Sequence, residues 1–287
     1  MSISFKIVRD GDSFSCSADN GPKFFVGRKT SYKQRIGLYN IFSGSKLTKL
    51  LYDAENYVAE FGFWARFVDP TAGCEGRSFL TLNTYDRAAF TFGFSQFAAH
   101  VPDGDFVRYF RDMLALPEAE AYFPGLDLVD GRIVRRTDVG GTVPLETKTD
   151  TKALMQYLNP SSDGVEDAEV VAAAKFIHWS TAHRSARLLQ IRQMIATYRG
   201  FMREADRRKL IDGRPAAQCC VIADILHQGR GTWAEIGAAL KSSAPFDKLV
   251  AIGAPEWDGR RKQLRAGIAK FPQMRTLHWS STAKDFV

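Results

Sequence analysis

The sequence predicts an α+β fold that is mainly helical. Three observations predict it: an alternating segment at the N-terminus, a stretch rich in Phe, Thr and Tyr in the first half, and helical periodicity through the second half. We expect an N-terminal β extension over residues 1–44, a lobe over 45–160 and a helical lobe over 161–287. The chain of 287 residues, 45% of them hydrophobic and 25% charged, is long enough for one two-lobed domain.

The first element is the β extension. Apolar and polar residues alternate over Ile3-Phe5-Ile7, and Asp10-Gly11-Asp12 and Asn20-Gly21-Pro22 are typical of hairpin turns. The segment is too short for a domain of its own. We expect it to pack on the rest of the chain, with a docking piece as the alternative.

A helix and a hairpin are predicted next. Ser45-Lys46-Leu47-Thr48 is a plausible helix start, apolar residues then recur on one helical face, and Gly62 is the expected end. A stretch containing Gly and Thr follows. The segment SFLTLNTYDRAAFTFGFSQF, with a turn-prone Asp-Arg pair in its middle, predicts a β-hairpin.

The remaining pattern is helical. Two helices are expected around residues 103–122, and a long helical pattern runs from Glu166 to about Lys209. The sequence Asp212-Gly213-Arg214-Pro215 breaks that pattern. Shorter helices are expected near 216–228, 232–242 and 258–270, so the second half is predicted to be all helix.

Charge and composition exclude several classes of protein. The formal net charge is +7 and the pI about 9.2, and the excess lies in the second half, where 21 Lys and Arg face 13 Asp and Glu. This charge favours polyanionic partners. No apolar run could span a bilayer, and the start has no apolar region typical of a signal peptide, so we expect a protein synthesised in the cytoplasm. The four cysteines lack metal-binding spacing, which predicts reduced structural thiols, with no metal and no cofactor.

Two carboxyl groups could supply glycosidic chemistry. Cleavage of a glycosidic bond needs one carboxyl that protonates the leaving oxygen and one that activates water or attacks carbon. Glu55 lies beside the apolar stripe of its predicted helix, where partial burial would raise its pKa. Asp86 lies in the hairpin that follows.

The chain resembles the chitosanases of the lysozyme superfamily. The segment LLYDAENYVAEFGFW, followed by DRAAFTFGFSQF, is similar to their Ser-Ala-Glu-Asn helix and Asp-Gly-Arg-Gly-Tyr-Thr-Ala-Gly hairpin. The later segment VIADILHQGRGTWAEIGAAL resembles their Asp-containing helix and His-Gly loop. The matches span about residues 46 to 270 in the family's order. The resemblance implies a two-lobed lysozyme-like fold.

The resemblance also implies roles for individual residues. It makes Glu55 the general acid, Asp86 the second carboxylate and Thr91 the residue that helps to place the attacking water. Asp224 and Arg260 would form the carboxylate and guanidinium network that braces the cleft. The hairpin lacks the family's Gly-Arg-Gly, and the 31 residues from Glu55 to Asp86 are more than the family would lead us to expect. The competitors for the second carboxylate are Asp69 and Glu75.

Three further residues are candidates for contact with sugar. Gln96 follows Gly93 as the Gln does in the Gly-Leu-Met-Gln hairpin of goose-type lysozymes and lytic transglycosylases, and the alternative is a structural hairpin amide. Tyr85 could stack on a sugar ring, although aromatic residues in such strands more often belong to the core. His100 could line the cleft or make a structural hydrogen bond.

The basic charge favours one polymer over another. Chitosan is polycationic, whereas peptidoglycan and its attached polymers are anionic, so we expect a muramidase-type activity on peptidoglycan, with chitosanase as the alternative. A phage endolysin released through a holin, or an antibacterial effector carried by a secretion apparatus, would bring such a protein to the wall. Two other classes stay open: a nucleic-acid-binding module, because arginines crowd residues 184–208, and a non-catalytic glycan-binding protein.

Overall fold

A computed structural model describes residues 2–41 and 50–287. The predicted helix start Ser45-Lys46-Leu47-Thr48 lies outside the described residues. The chain divides into two compact units, one made of Met1–Leu51 with Ser78–Gln193 and the other of Tyr52–Arg77 with Met194–Val287. These units differ from the predicted division at 44/45 and 160/161, because residues 52–77 join the C-terminal helices.

The first unit is built on a seven-stranded sheet in the order β1 to β7, with every neighbouring pair antiparallel. Its strands are β1 Phe5–Asp10, β2 Ser13–Ala18, β3 Phe24–Tyr32, β4 Arg35–Tyr39, β5 Leu82–Asn83, β6 Thr91–Phe92 and β7 Phe97–Ala98. The predicted β extension therefore packs on the rest of the chain, since β4 pairs with β5 of the predicted hairpin through Tyr39 and Asn83. Extension and hairpin are parts of one sheet.

Helices and a second sheet complete the first unit. They are α3 Asp105–Leu114, α4 Ala119–Tyr122, α5 Lys152–Leu158, α6 Asp167–Ala182, the first part of α7 Arg184–Arg207, and the three strands β8 Leu126–Val129, β9 Arg132–Arg136 and β10 Thr142–Pro144. Helix α6 packs against β1, β2 and β3. Its Phe176 contacts Phe90 and Phe92 of the hairpin region, so these phenylalanines belong to the core.

The second unit consists mainly of helices. It contains α1 Val58–Phe61, α2 Phe63–Cys74, the end of α7, α8 Ala216–Gln228, α9 Trp233–Leu240, α10 Pro245–Ala251, α11 Asp258–Ala269, α12 Gln273–Thr276 and the strands β11 Trp279–Ser280 and β12 Asp285–Phe286. The prediction that the second half is all helix is wrong at this last hairpin. Helix α2 packs against α8 and α11, and a Cβ on Gly267 of α11 would lie 2.9 Å from Cα of Pro70. The glycine thus permits the close approach of α11 to α2.

The fold is α+β and mainly α, as the sequence predicts. None of the described helices is long and apolar enough to cross a membrane. The long pattern from Glu166 to Lys209 is two helices, which His183 separates in an extended conformation.

Candidate functional site

Glu55 is held at the surface of the second unit. It lies in a 3-10 turn, Ala54–Tyr57, where the Asp53 carboxylate caps its backbone N–H at 3.3 Å. Nε and Nη2 of Arg66 donate to the two oxygens of Glu55 at 2.9 and 2.8 Å, and the Glu55 side chain is 51% exposed. These hydrogen bonds lower the pKa of Glu55. The expectation that partial burial raises this pKa is wrong, because the carboxyl faces solvent and a guanidinium.

Glu75 occupies a different setting in the same unit. It follows the last residue of α2, and its N–H donates to Thr71 and Ala72 carbonyls, so the helix end fixes its backbone. Nη1 of Arg260 donates to its Oε1 at 2.7 Å, and Nε2 of Gln228 donates to the same oxygen. Its side chain is only 8% exposed. The structure therefore places a buried carboxyl at the end of α2.

Asp224 joins two arginines in the same cluster. It is fully buried on α8, where it accepts from Nη2 of Arg260 at 2.8 Å and from Nη2 of Arg230 at 3.2 Å. Oγ1 of Thr71 adds a bond at 3.1 Å. Although burial alone would lower the pKa of Arg260, its bonds to Asp224 raise that pKa above the usual range. With Glu75, the cluster contains two carboxylates and two guanidiniums, which balance formally when all are ionised.

The structure thus brings Asp224 and Arg260 together, as the resemblance implies, and adds Glu75 and Arg230. Sequence reasoning did not identify Arg230. The sequence does contain one signal for such a partner. Asp224 is the single carboxyl in the apolar run Val221-Ile222-Ala223-Asp224-Ile225, and a buried carboxylate needs a cation from a nearby segment.

Asp69 has a structural partner. Its carboxyl is fully buried on α2 and receives two bonds from Arg77, at 2.5 and 2.8 Å. Both oxygens are used by one guanidinium. This pairing joins the helix to the segment that follows it.

Asp86 lies in the turn of the β5–β6 hairpin, in the first unit. Its Oδ1 accepts the Ala88 N–H at 2.8 Å, and its Oδ2 accepts from Nδ2 of Asn83 at 3.0 Å. These bonds cap the turn and fix the carboxylate's orientation. Because a carboxylate has about four acceptor sites, two used bonds leave it able to accept from water.

The other predicted residues of the hairpin region have distinct settings. Thr91 is buried in β6 opposite Asn83, and Tyr85 packs edge-on against Tyr32 and Tyr39. Gln96 is exposed in the turn between β6 and β7 with φ +53. The Phe and Tyr rings of this region therefore pack mainly inside the unit, while Gln96 faces solvent.

The pKa of His100 depends on charges in the hairpin turn. Burial and the Arg87 guanidinium lower the pKa of His100, and the Asp86 carboxylate opposes them. Its Nδ1 is buried and makes no hydrogen bond to the residues that the structure describes. Asp86, Arg87 and His100 thus share one electrostatic neighbourhood.

A buried carboxyl on α6 anchors the hairpin turn. Oε1 of Glu169 accepts from Oγ1 of Thr84 and from the Leu38 N–H, the latter at 3.2 Å. Burial raises the pKa of Glu169 to about 7. Nδ2 of Asn159 also donates to the carbonyls of Thr84 and Ala89, each at 3.0 Å. The turn that carries Asp86 is therefore fixed from both sides.

The predicted site residues divide between the two units. Tyr85, Asp86, Thr91, Gln96 and His100 belong to the first unit. Glu55, Asp224 and Arg260 belong to the second unit, where Glu55 pairs with Arg66 instead of the Asp224 cluster. No group of His, Cys, Asp and Glu side chains among the described residues could hold a metal ion.

Comparisons with protein-family models, with characterised proteins and with solved structures give no match to this chain.

Proposed function

We propose that this chain is a glycoside hydrolase that cleaves a β-1,4-linked amino-sugar polymer, peptidoglycan in the first instance, by acid/base catalysis. One observation carries the proposal: Asp224 and Arg260, which the resemblance pairs from two distant segments, are bonded at 2.8 Å and include Glu75 in their network. Two segments that resemble the chitosanases thus supply partners of a single buried cluster.

Glu75 suits the role of general acid better than Glu55. A general acid must carry a proton at working pH, and the exposed Glu55 is held ionised by Arg66. The Glu75 side chain is also the more buried of the two, at 8% exposed against 51% for Glu55. We assign the proton donor to Glu75 and treat Glu55 as the competing assignment.

Asp86 and Thr91 supply the other half of the proposed chemistry. Asp86 is oriented by its bonds to Ala88 and Asn83, so its carboxylate can accept a proton from water without first reorganising. Thr91 lies on the strand that follows the turn. In this proposal, Asp86 takes a proton from the attacking water.

The net positive charge of the chain favours an anionic polymer as the substrate. A net charge of +7 attracts an anionic wall and repels polycationic chitosan. Chitosan remains the second substrate to test. Access to a cell wall would require release through a holin or delivery by a secretion apparatus.

A non-catalytic glycan-binding protein is the second candidate function. Asp86 caps its turn by accepting the Ala88 N–H, and Glu75 forms an ion pair with Arg260. Both contacts are also those of carboxylates with purely structural roles. Such a protein would bind the polymer without cleaving it.

Three isosteric variants test the proposal. Loss of wall turbidity and release of reducing ends from chitosan would be measured for wild type, Glu75→Gln, Glu55→Gln and Asp86→Asn. We expect Glu75→Gln to lower hydrolysis by roughly 10²–10⁴-fold, the usual contribution of general acid catalysis, and Glu55→Gln to stay near wild type. Circular dichroism and thermal unfolding would verify that each variant is folded.

The remaining outcomes are also decisive. A loss confined to Glu55→Gln would restore Glu55 as the acid. Retained hydrolysis in both Glu75→Gln and Glu55→Gln would reject both residues as the general acid. A wild type that binds the polymer but hydrolyses neither substrate would favour the glycan-binding alternative.

A further inference from the structure

A polar pocket lies beside the hairpin turn in the first unit. Its volume is about 260 Å³, and it is lined by residues of three separate elements. Arg35 begins β4, Arg87 follows Asp86 in the turn, and Lys152 begins α5. Gln156, Asn159 and Ser161 contribute uncharged polar groups to the lining.

The charge of this pocket has one sign. Its lining contains three basic side chains and no acidic one. None of the three makes an ion pair with the residues that the structure describes. Elsewhere in the unit the arrangement is different, since Arg111 and Arg132 both bind the buried Glu146. The three cations, all exposed to solvent, give the lining a positive charge that a bound anion would balance.

The walls of the pocket are fixed by hydrogen bonds. Asn159 donates to the carbonyls of Thr84 and Ala89, which ties the end of α5 to the hairpin turn. The Ile36 N–H donates to the Ser162 carbonyl at 2.7 Å, which ties β4 to the loop after α5. The elements that carry Arg35, Arg87 and Lys152 are therefore held in place without a ligand, which lowers the entropic cost of binding.

We propose that this pocket binds the carboxylate of an acidic, N-acetylated sugar unit beside the Asp86 hairpin. Arginine and lysine supply the charge-assisted hydrogen bonds that a carboxylate requires. The uncharged Gln156, Asn159 and Ser161 suit the hydroxyl and amide groups of a sugar, which inorganic phosphate lacks. The identity of the polymer rests on the proposed function, and the pocket makes the acidic sugar its recognised unit.

Binding of single sugars tests this inference without requiring hydrolysis. Isothermal titration would compare N-acetylmuramic acid, neutral N-acetylglucosamine and inorganic phosphate. The variant Arg35→Gln/Arg87→Gln/Lys152→Gln removes the three pocket cations. Its matched control, Arg108→Gln/Arg135→Gln/Lys148→Gln, removes two arginines and one lysine that are exposed in the same unit and lie outside the pocket.

We expect wild type to bind N-acetylmuramic acid at least about tenfold more tightly than N-acetylglucosamine, since one charge-assisted bond contributes that much. The pocket variant should lose this preference, and the control variant should keep it. Equal affinity for the two sugars, tighter binding of phosphate, or equal losses in both triple variants would overturn the inference. Because titration measures binding without turnover, this result would stand even if the wild type hydrolysed neither polymer.

Discussion

Nη2 of Arg260 lies 2.8 Å from Oδ1 of Asp224, and 36 positions of the chain separate the two residues. The bond joins α11 to α8, and the adjoining bond from Arg260 to Glu75 reaches the end of α2. One guanidinium therefore connects three helices of the second unit.

Replacing Arg260 should destabilise the protein strongly. Arg260→Gln leaves two buried carboxylates with less compensation, so we expect the free energy of unfolding to fall by about 3–5 kcal/mol. Arg207→Gln is the matched control, because Arg207 pairs with Glu204 on the surface and should change stability by less than about 1 kcal/mol. Urea unfolding of both variants measures the difference. Equal effects would mean that the cluster does not hold the helices together.

Glu169 should make stability depend on pH. Its folded pKa is raised to about 7, above the ordinary value of 4.5, so between these values the folded state keeps a proton that the unfolded state releases. Stability should thus fall as pH rises from about 4.5 to about 7, by about 3 kcal/mol, and this contribution should then level off.

Glu169→Gln isolates that contribution. The variant keeps the acceptor oxygen for Thr84 and Leu38 and cannot ionise, so its stability relative to wild type should increase across the same pH range. Urea unfolding at several pH values would measure this, with the exposed Glu256→Gln as control. Parallel curves for wild type and Glu169→Gln would contradict the prediction.

Gly37 should be sensitive to the smallest added side chain. A Cβ at this position would lie 2.6 Å from Oγ1 of Thr84 and 2.8 Å from the Tyr85 nitrogen. The backbone of the hairpin turn would have to shift to make room for the added methyl group. Gly37→Ala should therefore lower the free energy of unfolding by about 2–3 kcal/mol and should reduce hydrolysis. Gly164→Ala meets nothing within 4 Å and should be neutral or slightly stabilising. A Gly37→Ala protein as stable as this control would show that the turn is pliable.

Salt should weaken action on an anionic wall. Surface charges are screened beyond about 8 Å at physiological ionic strength, so loss of wall turbidity should slow as sodium chloride increases. Chitosan cleavage should show no loss from this cause. Constant activity on walls across the salt series, or a preference for chitosan, would overturn the choice of polymer.

The anomer released first distinguishes direct attack by water from a covalent intermediate. If Asp86 activates water, a β-linked substrate should give the α-anomer first, because water attacks from the opposite face of the sugar. Proton NMR of early products measures this directly. An initial β-anomer would mean that a carboxylate attacks carbon and forms a covalent intermediate.

Local pattern predicted much of the fold and one part of the candidate site. Alternation and turn residues indicated the first strands, and a β-prone run with a central turn indicated the β5–β6 hairpin. Helix α2 was missed because Pro70 and Gly73 lie in its sequence. Gly62 does end α1, as expected, and with φ +56 it also directly precedes α2.

The pairing of carboxyls with cations could not be obtained from local pattern. Whether Glu55 is buried depends on which side of its turn faces Arg66, and the partner of Glu75 comes from residue 260. Such contacts depend on how helices far apart in the chain pack. Only the resemblance, which relates distant segments, pointed to the pair of Asp224 and Arg260.

The pairing of β4 with β5 also limits how the chain can be shortened. A protein that began at Leu50 would lack the partner strand of β5 and the Asn40 side chain, which bonds to Leu80 and Leu82. The exposed backbone of that edge would be open to pairing with a second molecule. Truncation to the carboxyl-bearing segments should therefore produce aggregates, and the N-terminal strands serve as a cap that keeps the hairpin edge closed.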